Sequence, residues 1–306
     1  MSKFRKHMKI RVGTRESQLA LAQTNIVINE IKKHYPEAEF EIIRIKTTGD
    51  MLYNKNLALI GGKGLFLKEI EESLIASKID LAVHSMKDVP AVLPESLIID
   101  SVLEREDVRD AFISDKYNSL EQLPFGAVVG TSSSRRKAAI LSKRPDLIVK
   151  NFRGNVITRL DKLAKGEVDA TILAYAGLKR LGLEKVAKYI FDCKEMLPAI
   201  AQGAIGIERR VADEKMAEVI AKVNHTETMT CITAERSFLY HLSGDCTTPI
   251  SAYATLAGEQ LSLVAQLAES DGTILYSSSQ TGSKKQALEI GKAAADEIKN
   301  KSGILN

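Results

Sequence analysis

From residue 8 to residue 14 apolar and polar side chains alternate, and after Arg15 the apolar positions Leu19, Ala22, Ile26 and Val27 recur at helical spacing. This predicts a strand, a turn, and a helix whose N-cap is Ser17. Residues 39–46 alternate again as a second strand. The loop Ile60-Gly61-Gly62-Lys63-Gly64 then opens a helix carrying Leu67, Ile70 and Leu74, and the apolar run Leu81-Ala82-Val83 forms a third strand. A βαβαβ series of this kind is the signature of a doubly wound α/β layer. The rhythm restarts after Leu97, with strands at 127–130, 147–150 and 170–173 separated by helices from about Ser134 and from Asn155. Two such units predict two α/β domains facing a cleft. Beyond Thr226 the pattern changes to a helix up to about residue 243, a loop at 244–249, and strands at 250–257 and 261–268. A turn at Asp271-Gly272, a strand at 273–278 and a helix from about Ser283 complete a small α+β unit.

With 306 residues, two or three domains are expected, and 44% hydrophobic with 27% charged residues is an ordinary globular composition. The balance of 43 basic against 39 acidic residues leaves a net charge of only +4, too small for a nucleic-acid-binding face, so no nucleic-acid partner is expected. The basic first nine residues are followed by no apolar segment or small-residue cleavage site, and no stretch approaches a membrane span. Neither export nor a membrane partner is expected. Cys193, Cys231 and Cys246 are odd in number and form no C-x-x-C pair, which argues against a disulfide framework and a zinc site and favours a reducing cytoplasm.

Chemistry concentrates where strands end. His84-Ser85-Met86-Lys87-Asp88 follows the third strand directly, and Val89-Pro90 after it disfavours helical geometry, so Asp88 is expected in a turn at a strand end. Such ends are where α/β proteins keep ligand sites, although a carboxylate there also simply caps turns. In Gly130-Thr131-Ser132-Ser133-Ser134-Arg135-Arg136-Lys137, three cations crowd the first turn of a helix. That placement is unfavourable unless an anion is present, and hydroxyls, free N–H groups and guanidinium forks make a carboxylate or phosphate site. Arg15 and Ser17, Lys63, Lys87, Arg153-Gly154 with Arg159, and Arg180 occupy other junctions of the same units. Together they suggest a substrate with several negative charges. The glycine loop lacks P-loop spacing, which excludes nucleotide hydrolysis on this motif. Cys193 and Cys231 read as small core residues, whereas Cys246, in a turn-rich loop, is a candidate nucleophile or attachment point. His84 and His241 stand in no protease motif.

These motifs in this order resemble the hydroxymethylbilane synthase (porphobilinogen deaminase) family. The resemblance runs from Arg11-Val12-Gly13-Thr14-Arg15 through Gly61-Gly62-Lys63-Gly64-Leu65-Phe66, His84 to Pro90, Gly130-Thr131-Ser132-Ser133, Arg153-Gly154-Asn155 and Ala201-Gln202-Gly203-Ala204 to the cysteine loop. It implies two doubly wound α/β, periplasmic-binding-protein-like domains around a cleft plus a small α+β C-terminal domain. The first would span 1–103 and 204–221, the second 109–197 and the third 226–306. It further implies a dipyrromethane cofactor held on Cys246 by a thioether, head-to-tail condensation of four porphobilinogen molecules with loss of ammonia, and hydrolytic release of the linear product by a cytoplasmic monomer. Asp88 would be catalytic. Binding roles are implied for Arg15, Ser17, Lys63, Ser85, Lys87, Thr131, Ser132, Ser133, Arg135, Arg136, Arg153, Gly154, Arg159, Arg180 and Gln202. Two departures stand out: Leu59-Ile60 replaces a lysine common before the paired glycines, and Asp245 replaces a glycine common before the cysteine.

Overall fold

The computed structural model describes residues 8–48, 67–242, 248–269, 271–273 and 275–303. Lys63 and Cys246, with the residues around them, lie outside the described residues. The chain forms two compact units, one from its start to Arg105 together with Ala204–Met229, the other from Glu106–Gly203 and the chain beyond Met229.

In the first unit, β1 (Lys9–Arg15), β2 (Glu39–Ile45), β3 (Leu81–Ser85), β4 (Leu97–Val102) and β10 (Ile205–Arg210) form one sheet in the order β2-β1-β3-β10-β4. Strands β1, β2 and β3 are parallel as the βαβαβ pattern predicts, whereas β10 is antiparallel to both its neighbours. Helices cover both faces. Val27 and Ile31 of α1 (Gln18–His34) pack with Ile10, Val12, Leu81, Val83 and Ile207, while Ile70 and Leu74 of α2 (Lys68–Ile75) pack with Ile79, Ala82 and Leu97. A strand covered on both faces reads as a continuous apolar run, which is why β3 begins Leu81-Ala82-Val83 without alternation.

The second unit repeats the arrangement. Strands β5 (Asp110–Ile113), β6 (Val128–Gly130), β7 (Ile148–Lys150), β8 (Ala170–Ala174) and β9 (Tyr189–Ile190) lie in the order β7-β6-β8-β5-β9. Again three strands are parallel, and β5 runs against β8 and β9. Helices α3 (Ser134–Lys143), α4 (Val156–Ala164) and α5 (Tyr175–Arg180) follow β6, β7 and β8. The antiparallel strands were not legible as such. Each belongs to a sheet whose other members are distant in sequence, so no local connection reveals its direction.

The same unit holds a three-stranded antiparallel sheet of β11 (Ile250–Ala257), β12 (Gln260–Ala268) and β13 (Leu275–Ser283). Helix α8 (Ala287–Ser302) packs on β12 and β13, and α7 (Thr226–Leu242) meets β11 where Glu235 Oε1 accepts from the Ala254 N–H at 2.8 Å; α6 (Glu214–Ala221) precedes them in the first unit. Gly291 lets α8 approach α7, because a Cβ there would stand 2.3 Å from the Ala234 carbonyl oxygen. Strand β13 extends five residues beyond the expected end at 278 and pairs to Ser283 opposite Gln260. Its continuation, Ser279-Gln280-Thr281-Gly282-Ser283, offers no apolar alternation to read. The closing helix also starts later than expected, since Ser283 and Gln286 form a capping box around a 3-10 turn, Lys284–Gln286.

Candidate functional site

In the first unit the candidate residues gather at the carboxyl ends of β1 and β3. Arg15 ends β1, and Ser17 caps α1 by accepting from the Ala20 N–H at 3.2 Å. Ser85 ends β3 and is locked to α1. Its Oγ accepts from Gln23 Nε2 at 2.8 Å and donates to Gln23 Oε1 at 3.0 Å. The chain then turns through a single 3-10 turn, Met86–Asp88, as the following Val89-Pro90 predicted. Met86 and Val89 are buried and anchor the turn, and a Cβ on Gly206 of β10 would stand 2.1 Å from Met86 Sδ. Lys87 and Asp88 are thereby lifted into solvent. Among the described residues Asp88 has no hydrogen-bond or ion-pair partner, a carboxylate held on a rigid turn with its charge unspent. Behind the turn His84 Nε2 meets the fully buried Glu208 carboxylate at 2.8 Å. Burial, reinforced by the Glu208 charge, pushes the nearby Glu71 carboxyl above its ordinary range.

In the second unit the carboxyl ends of β6 and β7 are tied together. Thr131 N donates to Lys150 O at 3.0 Å, Ser132 Oγ donates to Asn151 Oδ1 at 2.5 Å, and Phe152 N donates to Ser132 Oγ at 3.1 Å. Thr131 Oγ1 accepts from the Ser133 N–H at 3.1 Å, and Ser133 caps α3. Two turns are thus fixed side by side. Arg153 follows, and its Nε is buried with no hydrogen-bond partner among the described residues. Gly154 has φ +144°, a conformation disfavoured for other residues, and its carbonyl accepts from Arg159 Nε at 2.7 Å.

The crowded start of α3 has its anion inside the protein. Arg135 and Arg136 are buried, and both engage Asp110, the first residue of β5, whose side chain is fully enclosed. Arg135 Nη1 lies 2.7 Å from Asp110 Oδ2 and donates to Leu197 O at 2.8 Å. Arg136 donates to Asp110 Oδ1 from Nη2 at 2.7 Å and from Nε at 3.2 Å, and to Ile172 O from Nη1 at 2.9 Å. Gln202, 1% exposed, joins the same group by donating to Asp110 Oδ1 at 3.0 Å and Val108 O at 2.7 Å. Burial alone would raise the Asp110 carboxyl, but the two guanidinium charges outweigh it and hold it well below the carboxylate range. At the end of α5, Arg180 Nη2 donates to Gly203 O at 2.5 Å. Burial pulls this guanidinium down to about 10, so it is still charged at neutral pH.

A depressed carboxylate pKa stabilises the fold at pH values above the unfolded pKa, and that stability is lost as pH falls towards the folded value. Asp80, Glu106 and Asp107, each lowered against its own desolvation by Arg11, Lys179 or Arg109, act in the same direction as Asp110. The melting temperature is therefore expected to be level from about pH 5 to 7 and to fall progressively below about pH 4. Melts followed across that range check this. A melting temperature that holds or rises on acidification contradicts it.

Sequence reading missed Asp110, Gln23 and the His84–Glu208 pair. An acidic residue opening the buried run Asp110-Ala111-Phe112-Ile113 was the one available signal. Of the cysteines expected in the core, Cys231 is buried and Cys193 only half-buried, because it stands in the turn after β9.

Comparison with known proteins gives consistent matches. A family model described as porphobilinogen deaminase, dipyromethane cofactor binding domain, matches residues 10–218, and one described as porphobilinogen deaminase, C-terminal domain, matches residues 229–300. The chain is 50% identical over 301 residues to the chloroplastic porphobilinogen deaminase of Oryza sativa subsp. japonica, covering 96% of this chain and 84% of the relative. It is 48% identical over 288 residues to the porphobilinogen deaminase of Rickettsia bellii, covering 94% and 96% of the two chains. With that of Paracoccus denitrificans the identity is 46% over 295 residues, covering 96% and 94%. Among solved structures, the methionine binding protein MetQ is similar with a TM-score of 0.45 and 14% identity over 70% of this chain and 88% of that one.

Proposed function

The chain belongs to the porphobilinogen deaminase family, and on that premise we propose that Asp88 is its acid–base and electrostatic centre and that the arginine-bearing turns hold its substrate's carboxylates. The reaction is that of hydroxymethylbilane synthase in tetrapyrrole biosynthesis, in which porphobilinogen units are condensed head to tail with loss of ammonia. The observation that carries the assignment is the exposed carboxylate of Asp88, without a partner among the described residues, on a turn anchored by Met86 and Val89.

Departure of ammonia from porphobilinogen leaves a cationic pyrrole, and a fixed carboxylate stabilises positive charge as it develops. The same carboxylate can pass a proton to the leaving amine and accept one from the ring carbon that has been attacked. Asp88 has no protein partner among the described residues to release before doing either. Each porphobilinogen ring carries an acetate and a propionate, so a growing chain gathers negative charge that guanidinium forks and hydroxyls suit. Arg15, Ser17, Ser85 and Lys87 offer such groups on the first unit. Thr131, Ser132, Ser133, Arg135, Arg153, Arg159 and Arg180 offer them on the second, where Arg136 is taken up by Asp110 and Ile172.

The family's cofactor is a dipyrromethane, itself a polycarboxylate, and the second unit's residues fit one. The buried Nε of Arg153, without a hydrogen-bond partner among the described residues, is a donor that a carboxylate oxygen would satisfy. We assign its holding to Arg135, Arg153, Arg159 and the hydroxyls of Thr131 and Ser133, and its attachment to Cys246. When bound it supplies the pyrrole carbon that takes the first substrate unit.

The purified chain is expected to consume porphobilinogen and release one ammonia for each molecule consumed. Saturable binding without ammonia release would instead mark a solute-binding protein and overturn the assignment.

A further inference from the structure

We infer that Asp110 is a positioning residue, the carboxylate by which this protein fixes Arg135 and Arg136 before any substrate arrives; this rests on the proposal that the arginine turns bind substrate carboxylates. Two neighbouring guanidinium groups repel each other, and at a helix start they also meet the positive end of the helix dipole. Without a counter-ion they would turn outwards and be ordered only by the ligand. Asp110 removes that requirement. Its Oδ1 takes Arg136 and Gln202 and its Oδ2 faces Arg135 Nη1; the Ile172 carbonyl takes the remaining nitrogen of Arg136, and the Leu197 carbonyl accepts from the same Arg135 Nη1.

The two arginines are left unequal. Arg136 commits all three of its nitrogens to Asp110 and Ile172, so it serves as the anchor. Arg135 commits only Nη1, and among the described residues its Nε and Nη2 have no protein partner. Arg135 is therefore the member that presents a free edge to a carboxylate. A buried negative charge beside an anion site weakens the attraction that substrate feels, so field strength alone does not account for Asp110. Orientation does, because a fork fixed in advance loses less freedom when it binds.

The test is Asp110→Asn in the full-length enzyme, read by porphobilinogen kinetics and by intact mass. The variant is expected to raise KM about tenfold or more, as loss of a charged contact that holds a fork would. Its kcat per cofactor-loaded chain should change by less than about threefold, and the loaded fraction should fall. Asp110→Glu, which keeps the charge, is expected to recover part of the KM. A folded Asp110→Asn protein with unchanged KM overturns the inference. So does a lowered KM, which is what removing a negative charge does when orientation is irrelevant.

Should Asp110→Asn fail to fold, the wild-type enzyme labelled with 15N-arginine decides the matter. The Arg136 Nε–H signal is expected to exchange slowly and to keep its position when porphobilinogen is added. A signal that emerges only after porphobilinogen is added shows that the ligand does the ordering, and overturns the inference. A wild-type chain that consumes no porphobilinogen would overturn the underlying assignment instead, which the label experiment without substrate separates from this one.

Discussion

Asp88→Asn is expected to lower porphobilinogen turnover by about a thousandfold or more while leaving the melting temperature unchanged. The substitution is nearly isosteric and removes a charge together with a proton acceptor. Asp88 is exposed and has no partner among the described residues, so no described contact depends on that charge. Surface changes of this kind usually alter stability by no more than about 0.5 kcal/mol. The turn itself is held by Met86, Val89 and the Val89 N–H to Met86 O bond at 3.2 Å, none of which asparagine disturbs. Substrate carboxylates would still find their cations, so KM should move far less than kcat. Steady-state kinetics beside a thermal melt separate these effects. Near-normal kcat in a folded variant would remove Asp88 from the centre of the mechanism.

Cys246→Ser is expected to yield a chain whose denatured mass equals that of its sequence, with no covalent dipyrromethane and turnover reduced to background. The reason is chemical. A thiol ionises at a pKa of roughly 8.5 and its thiolate is a strong nucleophile, whereas a serine hydroxyl needs an adjacent base to react at all. Cys246 lies outside the described residues, so this rests on its place in the sequence between α7 and β11 and on the family to which the chain belongs. Retention of the added mass in Cys246→Ser would move the attachment elsewhere. Cys231 is an unsuitable substitute because it is buried in α7.

Local signals in the sequence were reliable where one residue answers to its near neighbours. Ser17, Ser133 and Asn155 each precede a helical repeat, and each caps its helix through a bond to a backbone N–H three residues on. Val89-Pro90 announced the turn that carries Asp88. The demand for an anion at Arg135 and Arg136 was also legible, because it follows from charge and helix geometry alone. Its source was not. Asp110 is 25 positions before Arg135, and Gln23 is 62 before Ser85, so neither pairing leaves a mark on local periodicity.

By itself, then, the sequence determined the parallel strand–turn–helix units, the cap at Ser17, and which turns carry cations and the carboxylate at residue 88, since all of these arise from contacts within a few residues. Only the tertiary structure decided how those groups are used. Because β5 runs against β8, its first residue, Asp110, pairs opposite Ala174 at the carboxyl edge of the sheet, where α3 begins. Because β10 runs against β3, its first residue, Ile205, falls opposite Ser85, close to where the Asp88 turn starts. One reversed strand in each sheet brings distant residues to the edge where the parallel strands end. At that edge of the second unit the charges of Arg135 and Arg136 meet their internal counter-ion, Asp110.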